Sequence, residues 1–549
     1  MTRWRKILIL LVVGIAVLAG YGGIVLRRAV FEQTMDVHFR KDIVNAYMWG
    51  RNARQVGLFH LYDRVRAGGR FNAEIELDYT PLRLMAVTAW QAWTVRNHPD
   101  ARGWQADYAF NAPMLWGNTI AALLGSIFVF LIVRLWVIRM EEAQRLTDAP
   151  PRPLRGVPCA MVGALLLWFN PALLWNGYAW PQWDAWLLPF ALAAIYLACI
   201  DWWFAAGVCL AIGASLKGQL LIAAPIMFIL PICQFRFGTL LRIVAGFMFA
   251  SMFIAFPFLN ASREALVWYL LMLVGMGLLA PFVLRWRIKW WAPLGAAMLA
   301  LLIVWPWQLH VSAPVRLLPI ALIGVIALSR LLPARLIPHS YALIVAVAIL
   351  LMMPLFEAST AWFWQGFVYG PNREPFMHGP ATNNLPAILQ TYLRWPNSAF
   401  FKVWGDMEMQ QLMGMVYGIC LLLCGIGAAI QYRRRDTRFL IAMFLPWLLF
   451  FLLLTNVRGR YIVWAAAMSA LLPGSGVGMT LLGILVTVIA TLETMQAQSI
   501  VNRTYYAIAP PDWMHYVTAL EPHLGWPLLL IAGISLYYTM TPRTSATMT

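Results

Sequence analysis

The chain has 549 residues, 61% of them hydrophobic and 12% charged, whereas an ordinary soluble domain is about half apolar and about a quarter charged. That balance excludes a soluble protein. The formal net charge of +18 would suggest nucleic acid in a soluble chain, but in a polytopic one it belongs in good part to cytoplasmic loops, so no nucleic-acid partner is expected.

The chain opens with Arg3, Arg5 and Lys6 before an apolar run to about residue 26. No small-residue cleavage site follows, which predicts an uncleaved first span. Further apolar runs lie near 113–137, 158–176, 185–200, 203–216, 219–233, 243–259, 265–284, 291–309, 314–332, 339–356, 409–430, 438–455, 461–473, 475–492 and 524–540. They predict an all-α polytopic membrane protein of about 13–16 transmembrane helices. Two modules are expected, residues 1–260 and 261–549. Alternate short loops carry the basic residues, as in RWRIK (285–289) and QYRRRDTR (431–438). The opposite loops, NGYAWPQWD (176–184), NASRE (260–264) and HVSAPVR (310–316), hold at most one each, so the N-terminus is expected to be cytoplasmic. Outer segments then cover 27–112, 357–408 and 493–523. Cys159, Cys199, Cys209, Cys233, Cys420 and Cys424 sit inside apolar runs without a C-x-x-C framework and are read as small apolar residues.

Segment 27–112 is the richest in polar residues. Val37, Val44, Met48, Gln55 and Leu58 recur at roughly helical spacing and predict an amphipathic helix at the membrane surface. Gly68-Gly69 break the chain. A second interfacial helix is expected after Asp78-Tyr79-Thr80-Pro81-Leu82, with Pro81 in its first turn and Trp90 and Trp93 on one side.

These residues, with three further elements, resemble the GT-C superfamily of integral-membrane glycosyltransferases. The stretch Asp36-Val37-His38-Phe39 is similar to the opening of protein O-mannosyltransferases, and Asp78 to Leu82 to a "DYPPL" element. Asn170 to Trp186 resembles the "NPA…WGQxD" stretch of bacterial members, and Ser215 to Pro225 their "LKPQ…LLP" element. The matches are in order and cover residues 30–230. Pro181, Gly218, Thr80 and Val37 depart from the family pattern, leaving the acceptor class open.

The resemblance implies inverting transfer of a sugar from a polyprenyl-phosphate carrier to a lipid, glycan or protein on the extracytoplasmic face. Such a reaction needs a carboxylate base for the acceptor hydroxyl and cations for the departing phosphate. Asp36 matches the family's first-loop Asp. Asp42, whose spacing to Trp49 fits a pattern of some bacterial relatives, is the rival base, and either can equally be a solvated charge on a helix face. Asp78 is a second acid or a turn residue. Lys217, Arg458 and Arg460 are the expected phosphate ligands, Lys217 having snorkelling as its plain alternative. Tyr79, Gln182 and Asp184 are candidate substrate contacts, although Asp184 can simply cap the next span. Trp180, Trp183 and Trp186 are read as an interfacial aromatic belt. No cofactor is implied beyond the lipid-linked donor. A divalent metal between Asp78 and Asp36 or Asp42 stays open, and the lone His378 is given no ligand role. Loop 357–408, with Arg373, Glu374, Asp406 and Glu408, is long enough to cover a site as a lid.

Two other classes compete. A transporter or lipid flippase would show a carboxylate or a broken helix near the midplane, and a non-catalytic assembly subunit would act through its outer loops. Lys6, Lys41, Lys217, Lys289 and Lys402 are the lysines among 41 basic residues; this arginine bias favours a bacterial inner membrane with a periplasmic site. The triplets Asn260-Ala-Ser and Asn502-Arg-Thr keep an endoplasmic-reticulum reading open.

Overall fold

The computed structural model describes residues 3–34, 40–66, 77–144, 156–255, 333, 336–340, 342–343, 361–369, 376–379, 381–506, 512, 514–520 and 523–541. Asp36, Arg373, Glu374 and the apolar runs between 265 and 332 lie outside these residues.

The first helices are α1 (Arg3–Gln33), α2 (Arg40–Val56), α3 (Leu58–Arg66) and α4 (Pro81–Asn97). Then come α5 (Tyr108–Gln144), α6 (Gly156–Trp168), α7 (Pro171–Leu174), α8 (Leu188–Cys199), α9 (Trp203–Leu216), α10 (Leu220–Ala223), α11 (Pro225–Cys233) and α12 (Phe237–Ala255). The C-terminal half contributes α13 (Leu385–Leu393), a small antiparallel hairpin of β1 (Lys402–Trp404) and β2 (Met407–Glu408), α14 (Met409–Arg434) and α15 (Phe439–Leu453). It ends with α16 (Val463–Met468), α17 (Val477–Tyr506), α18 (Met514–Ala519) and α19 (Gly525–Met540).

Among the described residues, four stretches are long and apolar enough to cross a bilayer: Tyr108–Gln144, Gly156–Ala179, Met409–Arg434 and Val477–Thr504. Shorter apolar helices stand beside them, and the chain is an all-α polytopic membrane protein. Helix α5 has 37 residues, about 55 Å at helical rise, well beyond the hydrocarbon core of a bilayer. The centre of the bundle is α15, whose residues are all buried. A helix apolar on every side needs neighbours on every side. One apolar cluster joins Val129 and Trp136 of α5 and Leu192 of α8 to Phe444 of α15, Trp464 of α16 and Leu528 of α19.

The two helices expected in the outer segment 27–112 are present as α2 and α4, but the buried face of α2 differs from the expected one. Gly57 adopts φ +92 and separates α2 from α3, a conformation that glycine takes without steric cost. The buried face of α2 is Ile43, Ala46, Tyr47, Gly50 and Ala53, while Val44 and Met48 are only half-buried. The expected stripe was one position out of phase because Val and Met score as more apolar than Gly, Ala and Tyr. The small residues are what let α2 close on α4: a Cβ at Gly50 would strike the Val87 carbonyl oxygen. Helices α2, α3 and α4 therefore share a core of their own, including Tyr62, Leu84, Trp90 and Phe110. Pro81 does open α4, as its spacing predicts.

The first part of the expected outer segment 493–523 continues a helix. Helix α17 runs on to Tyr506, and Glu493, Thr494, Gln496 and Gln498 are fully or almost fully buried along it. Falling hydropathy marks the polarity of these side chains, not the end of the helix, because protein surrounds them.

Candidate functional site

The chain folds locally to bring one polar cluster together. After α6, Asn170 caps α7 by accepting from the Leu173 amide at 3.1 Å, and Pro171 takes the first helical position. The chain then widens into a π turn, Trp175–Ala179. Residues 180–183 leave the helix, and a 3₁₀ turn restarts it at Asp184. Asn118 of α5 fixes this break, its amide donating to the carbonyls of Gly177 at 3.0 Å and Gln182 at 2.8 Å. Gln498 of α17 ties the other side, accepting from the Trp175 indole at 2.6 Å and donating to the Ala179 carbonyl at 2.9 Å. The break is thus held from two helices, and it carries Asn176, Gln182 and Asp184.

Two ion pairs meet there. Asp42 on α2 accepts at a single oxygen, Oδ2, from the Gln182 amide at 2.5 Å and the Arg460 guanidinium at 2.7 Å. Its Oδ1 has no hydrogen bond among the described residues, and the side chain is 27% exposed. Asp184 is fully buried and uses both oxygens, Oδ1 to the Lys217 ammonium at 2.5 Å and Oδ2 to the Asn176 amide at 3.4 Å. The Trp464 indole donates to the Asp184 carbonyl at 2.9 Å. Lys217 caps α9 and lies 5.6 Å from the Tyr461 ring and 5.7 Å from the Trp464 ring, which stack on each other. Burial works against the charge of Arg460, but Asp42, Tyr461 and Asp184 more than offset it and hold its pKa well above the ordinary arginine value.

Tyr79 forms the adjoining wall. Its hydroxyl accepts from the Trp183 indole at 2.7 Å and from Arg83 at 3.3 Å, its ring meets Trp49 edge-on, and its carbonyl accepts from Tyr62 at 2.6 Å. Burial pushes its pKa up to about 12, so the phenol stays neutral at physiological pH. The segment 364–369 packs behind this wall. A Cβ at Gly366 would come within 3.1 Å of the Tyr79 carbonyl oxygen and 3.2 Å of the Thr80 Cα, and one at Gly218 within 3.2 Å of Phe367. Thr80 and Gly218, two of the departures from the family pattern, therefore lie against the same piece of loop 357–408.

Of the residues singled out in the sequence, Asp42, Tyr79, Gln182, Asp184, Lys217 and Arg460 come together. Asp78 is exposed at the surface. Arg458 is exposed too, with its Cγ beside Gly379 and not in the cluster; neighbours in a 3₁₀ turn point in different directions. Asp36 lies outside the described residues. The aromatic-belt reading fails for Trp180 and Trp183, both almost fully buried in protein. His378 contacts Gln390 and the Gly379 carbonyl, as a loop fixture. Among the described residues no group of His, Cys, Asp and Glu is arranged to hold a metal ion, and the Asp42 oxygen already shared by Arg460 and Gln182 is a poor cation ligand. Sequence reasoning missed Arg83, Asn118, Asn176, Trp464 and Gln498; the Asn170–Trp186 element contained one of them without marking it.

The chain matches no protein-family model and no curated protein.

Proposed function

We propose that the protein is a membrane glycosyltransferase of the GT-C kind. It moves a sugar from a polyprenyl-phosphate-linked donor to an acceptor on the extracytoplasmic face, with inversion. The observation that carries this reading is the convergence of Asp42, Tyr79, Gln182, Asp184, Lys217 and Arg460, from five separate stretches of chain, into one largely buried cluster. The positive-inside pattern puts their loops on the outer side of the membrane, and the arginine-rich composition favours a bacterial inner membrane with the site facing the periplasm.

In this reading Asp42 is the base. Arg460 and Gln182 fix its Oδ2 and leave Oδ1 without a hydrogen bond among the described residues, on a side chain that is 27% exposed. The acceptor hydroxyl gives its proton to Oδ1 as its oxygen attacks the anomeric carbon from the face opposite the phosphate. The carbon–oxygen bond to phosphate breaks, and its electron pair stays on the phosphate that leaves with the polyprenyl chain. Asp184, with both oxygens engaged, is the counter-charge that holds Lys217 in place. Tyr79 and Trp183, both buried and joined by a hydrogen bond, brace the α4 side of the cluster.

Asp36→Asn and Asp42→Asn, each assayed for transfer from lipid-linked donors in purified protein, test the assignment. Loss of transfer in Asp42→Asn with retention in Asp36→Asn is expected, and full activity in both removes the base.

A second reading, a lipid or substrate translocase, is favoured by one observation: Glu493 is fully buried within the spanning helix α17, and buried carboxylates in spans mark transport paths in many membrane proteins. Glu493→Gln abolishing movement of a lipid across liposome bilayers, with no new glycosidic bond formed by the wild type, would establish it.

A further inference from the structure

The cations expected to bind phosphate are already neutralised, Lys217 by Asp184 and Arg460 by Asp42. The third cation of the cluster is Arg83, in the first turn of α4. It is 5% exposed, and among the described residues it has no carboxylate partner. Among the described residues its Nε makes no hydrogen bond, and its one polar contact is the long one to the neutral Tyr79 hydroxyl, with the guanidinium 4.0 Å from that ring. It acts electrostatically on both Asp184 and Lys217, which places it within the same charge field.

Its place in the helix sharpens the anomaly. Helix α4 has 17 residues and no acidic residue in its first turn, and Thr80 at the N-cap makes no side-chain cap. The Thr80 hydroxyl is itself buried without a hydrogen-bond partner among the described residues. The first turn of a helix presents unsatisfied N–H groups and a partial positive charge, where a cation is unfavourable and an anion welcome. A buried guanidinium lacking an anion, an idle hydroxyl and an uncapped helix start therefore coincide, and each is satisfied by one negatively charged group.

We infer that Arg83, with Thr80 and the first turn of α4, receives the phosphoryl group of a lipid-linked substrate, in place of the paired Lys217 and Arg460. This rests on the reading of the protein as a user of phosphate-bearing lipids. Lys217, Arg460 and Arg83 against Asp42 and Asp184 leave one surplus positive charge, the exposed Asp78 standing outside this count, and a phosphodiester monoanion cancels it.

The test is binding to the full-length protein in nanodiscs of uncharged lipid, using a polyprenyl monophosphate, the matching polyprenol and inorganic phosphate as probes. The wild type is expected to prefer the phosphate lipid over the alcohol by about tenfold or more, the worth of a charge-assisted hydrogen bond. Arg83→Met is expected to erase the preference, Arg83→Lys to keep part of it, and Lys402→Gln, an exposed residue paired with Asp406, to match the wild type. Arg83-dependent competition by inorganic phosphate supports the site and shows that it grips the phosphoryl group and not the chain. Without ligand, Arg83→Met should unfold at the same temperature as the wild type or higher, because it removes a buried unpaired charge. An unfolded or destabilised Arg83→Met makes the residue structural and overturns the inference, as does an undiminished preference in Arg83→Met. A wild type that binds alcohol and phosphate alike sinks the donor reading instead, while Arg83-dependent binding of inorganic phosphate in that same protein would leave the anion site standing.

Discussion

Asp184→Asn should be the most damaging single substitution in the cluster. The Asp184 and Lys217 side chains are 0% and 7% exposed, with Nζ and Oδ1 2.5 Å apart. At an effective dielectric of about 20 this separation gives an attraction of about 6–7 kcal/mol before desolvation is subtracted. Removing one partner of such a buried pair costs about 3–5 kcal/mol, because the other charge is left uncompensated. The two directions are unequal here. Asp184→Asn strands Lys217 beside Arg83 and Arg460, which repel it, whereas Lys217→Met leaves Asp184 beside the same two guanidinium groups, which attract it. Asp184→Asn should fall at the upper end of the range and Lys217→Met at the lower. The double variant should lose less than the two singles together, with a coupling of about 2 kcal/mol or more. Unfolding of purified protein in mixed micelles with rising denaturing detergent measures all three. Additive singles, or a loss below about 1 kcal/mol for Asp184→Asn, would refute the claim that this buried pair organises the cluster.

Three further outcomes are expected. The Tyr79 pKa is raised by burial from 10 to about 12, so the stability it contributes is complete below about pH 10 and disappears as pH climbs through 12; Tyr79→Phe should flatten the alkaline limb of a stability–pH curve, and an unchanged limb would contradict the assignment. Asn118→Ala should lower turnover by about tenfold with a smaller change in KM, since losing the two bonds to Gly177 and Gln182 misplaces groups that the chemistry needs in register; a pure KM effect would show that the tether only shapes binding. Gly366→Val should reduce transfer sharply by driving a side chain into Tyr79 and Thr80, and wild-type activity in that variant would remove loop 364–369 from the site.

The sequence exposed the helices with long uninterrupted apolar runs, and it exposed the start of α4 because Pro81 announces a first turn. It also named six members of the cluster, chiefly because the motifs that carry the resemblance to the GT-C superfamily contain or adjoin them. What stayed hidden shares one cause: hydropathy registers what a side chain is and not what surrounds it. Glu493 reads as the edge of a span, yet protein encloses it. Arg83 stands unmarked among apolar neighbours in the sequence, yet it is buried against Tyr79. Trp183 reads as a membrane-interface aromatic, yet its indole serves the Tyr79 hydroxyl. The pairing of Asp42 with Arg460 joins residues 418 positions apart, a distance over which no local spacing carries information. The face of α2 was misjudged because close helix packing there depends on small residues such as Gly50 and Ala53.

In the proposed reading this cluster makes a glycosidic bond. The most direct test supplies purified protein in liposomes with a polyprenyl-phosphate sugar labelled in the sugar, together with candidate lipid, glycan and protein acceptors, and follows the label and the lipid separately. The expected result is one free polyprenyl phosphate for each labelled acceptor, with inverted anomeric configuration, and a fall of about a hundredfold or more in Asp42→Asn. Label that crosses the bilayer still joined to its lipid, with no acceptor product for any donor, would contradict it.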